Sequence, residues 1–194
     1  MLIGAAPDET IQRTWIEPLR RVLREHGFEE GRNLTIDIRW AEGRPERLPA
    51  LAAELLALGP DVIVTAGPRP ALATKEATRT VPVVAAAVDN PVLMGLAATL
   101  ARPGGNVTGV SSWGIELLAK RLQLLGLASY QSDFTAIARR AAALAAMILG
   151  GAKPAEMPFE RATRLDLVVS LKAARALGIK VPPGLLAGAD EVLE

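Results

Sequence analysis

The chain has 194 residues, half of them apolar, and 22 Lys and Arg stand against 21 Asp and Glu. A charge balance so close to zero argues against a nucleic-acid partner, whose phosphates call for a basic excess, and aromatics at only 4% leave little for a base-stacking surface. The absence of cysteine excludes thiolate chemistry, disulfides and cysteine-ligated metals, and one histidine, His26, cannot build a His-rich metal site. No metal and no cofactor are expected.

Met1–Ala6 is followed at once by Pro7, Asp8 and Glu9, so the start does not read as a signal peptide. The longest apolar run, Ala141–Leu149, is half of the roughly 20 residues that a membrane span needs, and the expectation is a soluble chain.

Leu2–Ala5 reads as a buried first strand. Ile11, Trp15, Leu19, Val22 and Leu23 share a helical face, with Pro18 marking a kink or a late helix start and His26-Gly27 a C-terminal stop. Leu34–Trp40 alternates as a half-exposed strand, and Leu48, Leu51, Leu55 and Leu58 form the stripe of the next helix. Val62–Thr65 is continuous and apolar, as a central parallel strand should be. Helix Ala71–Thr78, strand Val83–Val88, helix Val92–Leu100 and strand Val107–Val110 follow. Four or five β-then-α units in a row predict an α/β fold with a doubly wound parallel sheet.

Beyond Ser111 the rhythm fails. Ile115–Leu125 and Phe134–Leu149 read as helices joined by Gly126–Asp133, and Gly150–Pro158 reads as a loop. Leu165–Ser170 reads as a last strand, with short helices over Leu171–Leu177 and Leu185–Leu193 around Pro182-Pro183.

Several stretches, in order, carry a resemblance. They include Gly31-Arg32-Asn33-Leu34 running into Ile38-Arg39-Trp40-Ala41, then Leu48–Ala52, Pro60–Val64, Ala77–Val84 and Asn90-Pro91-Val92. The most distinctive is Leu100-Ala101-Arg102-Pro103-Gly104-Gly105-Asn106-Val107-Thr108-Gly109, and Leu149–Pro154, Leu167–Lys172, Val181-Pro182-Pro183 and Ala189–Val192 complete the set. Together they resemble the bacterial ABC-transporter substrate-binding proteins of the tryptophan and tyrosine type.

The resemblance implies one lobe of a type I periplasmic-binding-protein fold. Residues 1–125 would form the solute-binding lobe, and 126–194 a C-terminal helical segment whose last strand packs back on it. It implies a small amino-acid-like solute, an ABC transporter permease as partner, and a periplasmic location, although the missing signal leaves the cytoplasm open. The βα units expected between Arg121–Leu125 and Ala128–Tyr130 are absent, so most of a second lobe is expected to be missing. Two lobes of ordinary size need on the order of 250–300 residues.

Ligands of open parallel sheets sit beyond the carboxyl ends of the strands. By the resemblance the rim of that cleft holds Ala6, Gly67, Pro68, Asp89, Asn90, Ser111 and Ser112. Gly67 would admit the ligand to the backbone, and Asp89 or Asn90 would hold an amino or hydroxyl group. Gly and Asn-Pro are equally explained as turn residues. Ala5-Ala6 and Pro68-Arg69 stand where relatives commonly carry small hydroxyls or Gly, which predicts weakened binding. Trp113 reads as packing or as a cover over the ligand.

His26 reads as a helix cap, and Asp8 and Glu9 as charges favoured at a helix start. Gly104-Gly105 is no phosphate loop, since no Gly-Lys-Ser/Thr follows. Asn106-Val107-Thr108 fits a glycosylation sequon but overlaps a strand. No catalytic residue set emerges, so a binding protein is expected rather than an enzyme. The alternative is a self-associating structural or remnant protein without ligand, dimerising through surface that a missing lobe would expose.

Overall fold

Val83–Val88 carries six apolar residues and no charge, because a strand covered by helices on both faces has no side on which to place a polar group. All six are buried at the centre of a parallel sheet. The computed structural model describes residues 1–112, 128–162 and 165–193. Trp113 and the helix expected over Ile115–Leu125 lie outside the described residues.

Among the described residues the main sheet has six strands, β1 (Leu2–Ile3), β2 (Arg39–Trp40), β3 (Ile63–Ala66), β4 (Val83–Val88), β5 (Val107–Ser111) and β7 (Glu160–Arg161). Their order is β2-β1-β3-β4-β5-β7, every pair parallel. The chain leaves β1 in one direction to make β2, then returns to the other side of β1 for β3. The order therefore reverses between β1 and β3.

Helices cover both faces. On one, α3 (Leu48–Ala57) and α4 (Pro68–Ala77) bury Leu48, Leu51, Leu55 and Ala71 against Leu2, Ile63, Val83 and Val107. On the other lie α1 (Glu9–Ile11), a π-turn (Gln12–Ile16), α2 (Glu17–Glu25) and the long α5 (Phe134–Leu149). Trp15 meets Phe134 at a ring separation of 6.1 Å where the first segment crosses α5. The π-turn answers the question posed by Pro18. A proline lacks the N–H and crowds the carbonyl four residues back, and the i→i+5 bond from Glu17 N–H to Gln12 O widens the turn just before it.

Several sequence expectations are corrected. Val92–Leu100 is a set of turns rather than a helix. Gly95 at φ 67° ends the first turn, and Leu96 and Ala97 N–H fold back to Pro91 O. Only Arg39–Trp40 of the strand expected over Leu34–Trp40 is in the ladder, because its partner β1 offers just Leu2 and Ile3. The expected joint Gly126–Asp133 contains strand β6 (Ala128–Ser132), and the helix expected over Leu185–Leu193 is a short α7 (Pro183–Ala187) followed by strand β9 (Glu191–Leu193).

Contacts divide the chain into two units, Met1–Ser112 with Phe134–Arg161, and Trp113–Asp133 with Ala162–Glu194. The long α5 covers the main sheet of the first unit. In the second unit β8 (Leu165–Ser170) pairs antiparallel with β6 and parallel with β9, and α6 (Leu171–Ala176) continues from β8. Leu165–Ser170 is thus a strand as expected, with its ladder partners in the smaller sheet. Among the described residues no helix is long and apolar enough to cross a membrane.

Candidate functional site

The carboxyl edge of the main sheet is held together by a run of backbone contacts. Gly43 N–H donates to Gly4 O at 2.9 Å and Glu42 N–H to Ala5 O at 3.3 Å, joining the loops after β2 and β1. Across the point where strand order reverses, a Cβ on Gly4 would sit 3.6 Å from Pro70 at the start of α4. Gly67 N–H reaches Ala86 O at 2.9 Å, and Ser112 N–H reaches Val88 O at 2.9 Å. Five strand ends therefore share one rim.

Of the residues expected there, Asp89 and Ser112 are brought together. Ser112 Oγ–H donates to Asp89 Oδ1 at 2.6 Å, and the Asp89 side chain is exposed beyond the strand ends. A β-bulge produces this arrangement. The ladder steps from Ala86↔Val110 to Val88↔Ser111, leaving Ala87 as the extra residue in the left-handed region at φ 56°. Bulges of this kind re-aim the side chains that follow them.

Gly67 lies half-buried at φ 95°, a conformation that favours glycine, and Pro68 and Ala6 are exposed on either side of the order reversal. Asn90 is occupied locally, its Oδ1 accepting from Leu93 N–H at 3.0 Å to close the Pro91 turn. Ser111 does not present its hydroxyl to the rim. It is 4% exposed, and its Oγ–H donates to Glu160 O at 3.1 Å, tying β5 to β7.

Both helix starts at this edge are poorly suited to an incoming anion. Asp8 Oδ1 accepts Ile11 N–H at 2.7 Å and so satisfies the α1 terminus from within. At α4, Pro68 and Pro70 have no N–H to offer, and Ala71 N–H already points at Gly67 O. Sequence reasoning missed one rim feature. Glu42, at φ 57°, accepts from both Arg44 and Arg47 at 2.5 Å, and these guanidiniums hold its carboxyl below the usual range. The Glu-Gly-Arg run directly after β2 was the available signal.

A cleft of about 1160 Å³ opens at the opposite edge, among Met1, Asp37, Asp61, Pro82, Ile148 and Lys153 at the amino ends of the strands. Among the described residues no group of three His, Asp or Glu could hold a metal ion. His26 caps α2, its Nδ1–H donating to Val22 O at 2.8 Å.

A parallel α/β sheet with a loop-built carboxyl rim is the frame of a periplasmic-binding-protein-like molecule, and solved structures share it. A conserved domain protein from Vibrio cholerae O1 biovar El Tor superposes with a TM-score of 0.82 at 22% identity, covering 98% of each chain. An ABC domain in complex with L-Trp from Streptococcus pneumoniae gives a TM-score of 0.79 at 18% identity, covering 99% of each chain. A ligand-free, open substrate-binding protein with adhesive properties from Clostridium difficile gives a TM-score of 0.79 at 18% identity, covering 99% of this chain and 98% of that one.

The model of the ABC transporter substrate binding protein family matches residues 14–127 and 124–193, and the chain belongs to that family. A tyrosine-binding protein of Clostridioides difficile (strain R20291) is 31% identical over 93 residues, which span 48% of this chain and 27% of that relative.

Proposed function

We propose that the chain is the solute-binding component of an ABC transporter, taking a small amino-acid-like solute at the carboxyl rim of its first unit. The observation that carries the reading is the exposed Asp89 carboxylate, oriented by Ser112 beyond the ends of β4 and β5. A carboxylate so placed suits an amino group. The tyrosine- and tryptophan-binding relatives support the same solute class, and family membership supports a permease as partner and a binding rather than catalytic role; a periplasmic place of work is part of the proposal.

The second unit is small, three strands and two short helices among its described residues. The two family-model matches overlap at residues 124–127, the place where βα units are expected to be missing, and we read the second lobe as internally shortened there. A binder of this type gains affinity by closing two lobes on the solute, so a reduced lobe leaves the solute wetter. Titration calorimetry with tyrosine and tryptophan is expected to give a Kd in the millimolar range, about −4 kcal/mol. Asp89→Asn is expected to weaken it by about tenfold. Binding near 1 μM, about −8 kcal/mol, overturns the shortened-cleft reading, and heat that Asp89→Asn leaves unchanged overturns the rim assignment.

A second reading, self-association without ligand, draws on the smaller sheet. Val192 and Leu193 of β9 are 40% and 47% exposed, and Leu177 and Ile179 beyond α6 are similarly open. An apolar strand at a sheet edge is a template for pairing with another copy.

A further inference from the structure

The surface that α2 and α5 turn to solvent has nothing to do with the rim, and its charge pattern is unusual. A cleft of about 620 Å³ between the two helices is lined by Arg13, Arg20, Arg21, Arg24 and Arg139, with Glu17 the one acid among them. Five of the 22 basic residues of a nearly neutral chain are gathered there. Helix faces that are merely solvated intersperse the two signs at i,i+4. Arg13, Glu17, Arg21 and Glu25 follow that alternation, whereas the adjoining row sets Arg20 and Arg24 four apart with like charge. α5 presents Arg139 across the cleft rather than a carboxylate.

Partners are incomplete. Arg20 meets Glu30 at 2.7 Å and Arg21 meets Glu25 at 4.0 Å. Arg13, Arg24 and Arg139 have no carboxylate at ion-pair distance among the described residues. The next residue on α5, Arg140, shows the contrast, since it turns away and bonds Glu160 through Nη2 at 2.6 Å. Glu17 is a single acid among five guanidiniums, so the cleft keeps an excess of positive charge.

We propose that this cleft receives an acidic segment of a partner protein, its carboxylates paired with Arg13, Arg24 and Arg139. Every cation is arginine, whose planar fork matches a carboxylate two bonds at a time. From Arg13 to Arg24 the stripe runs about 16 Å at the helical rise, the span of about five extended residues. No large apolar side chain lines the cleft, which disfavours a membrane-inserting face, and the near-zero net charge supplies no field for a long polyanion such as a nucleic acid.

The test is fluorescence anisotropy of the full chain with a capped, dye-labelled hexaglutamate peptide, alongside inorganic triphosphate and vesicles rich in phosphatidylserine. Hexaglutamate is expected to bind at low salt, to weaken as salt rises, and to lose about tenfold in Arg24→Glu/Arg139→Glu. Arg24→Gln/Arg139→Gln, checked for an unchanged circular dichroism spectrum, is expected to lose less. Failure of the peptide to bind at low salt, equal binding to the charge-reversed variant, or binding of triphosphate or vesicles with none of the peptide would each overturn the proposal.

Discussion

Gly109 and Ala87 face opposite constraints in neighbouring strands. A Cβ on Gly109 would lie 1.9 Å from Ala85 O and 2.7 Å from its carbonyl carbon. That backbone is locked in the centre of the sheet and cannot give way. Gly109→Ala is expected to cost about 3 kcal/mol or more, read as a lowered urea midpoint. Ala87, in contrast, sits where L-residues are strained, at a cost of about 1 kcal/mol. Ala87→Gly relieves that strain while losing a methyl and gaining unfolded-chain entropy. Its unfolding free energy, measured by urea denaturation, is expected to match the parent to within about 0.5 kcal/mol. Ala86→Gly, in ordinary strand geometry one residue earlier, is expected to lose about 1.5 kcal/mol by the same two costs with no relief. If both substitutions cost the same, the bulge is not a strained element.

Between elements, Asn106 shows how side chains hold connections that ladders do not reach. Its Nδ2 donates to Val81 O at 2.7 Å and to Thr78 O at 3.3 Å, fastening the end of α4 to the start of β5. Asn106→Ala is expected to lose about 1–2 kcal/mol by leaving these carbonyls short of a donor, measurable by chemical denaturation. Sequence alone offered a sequon at this position, because a periodicity scan does not see a bond to residues 25 and 28 positions away. The same limit explains what was and was not legible elsewhere. Val83–Val88 and Phe134–Leu149 declare themselves through composition and period over long enough runs. β6 and β9 exist only because β8 lies between them, and nothing in Ala128–Ser132 or Glu191–Leu193 announces that pairing. The turn at Pro91–Ala97 was hidden by its apolar content, while Gly95 was the overlooked signal. At the rim, Asp89 and Ser112 could be named from strand ends. Ser111 could not be separated from Ser112, since only the paired β7 backbone decides which hydroxyl turns inward.

At the scale of the whole molecule, the exposed β9 is the feature most open to measurement. On the self-association reading, sedimentation velocity over a wide concentration range is expected to show a dimer that Val192→Lys converts to monomer, since charge on an edge strand blocks pairing. A monomer at every concentration leaves solute binding as the sole reading. The division into units carries a different consequence, for the order of events during synthesis. Neither unit is a continuous stretch, because the chain passes between them after Ser112, Asp133 and Arg161. Strands β1 to β5 leave the ribosome before α5 exists to cover their second face. Until residue 149 has emerged, the second face of the growing sheet lacks its longest covering helix, and that interval, rather than the finished fold, is where a chaperone has the most to protect.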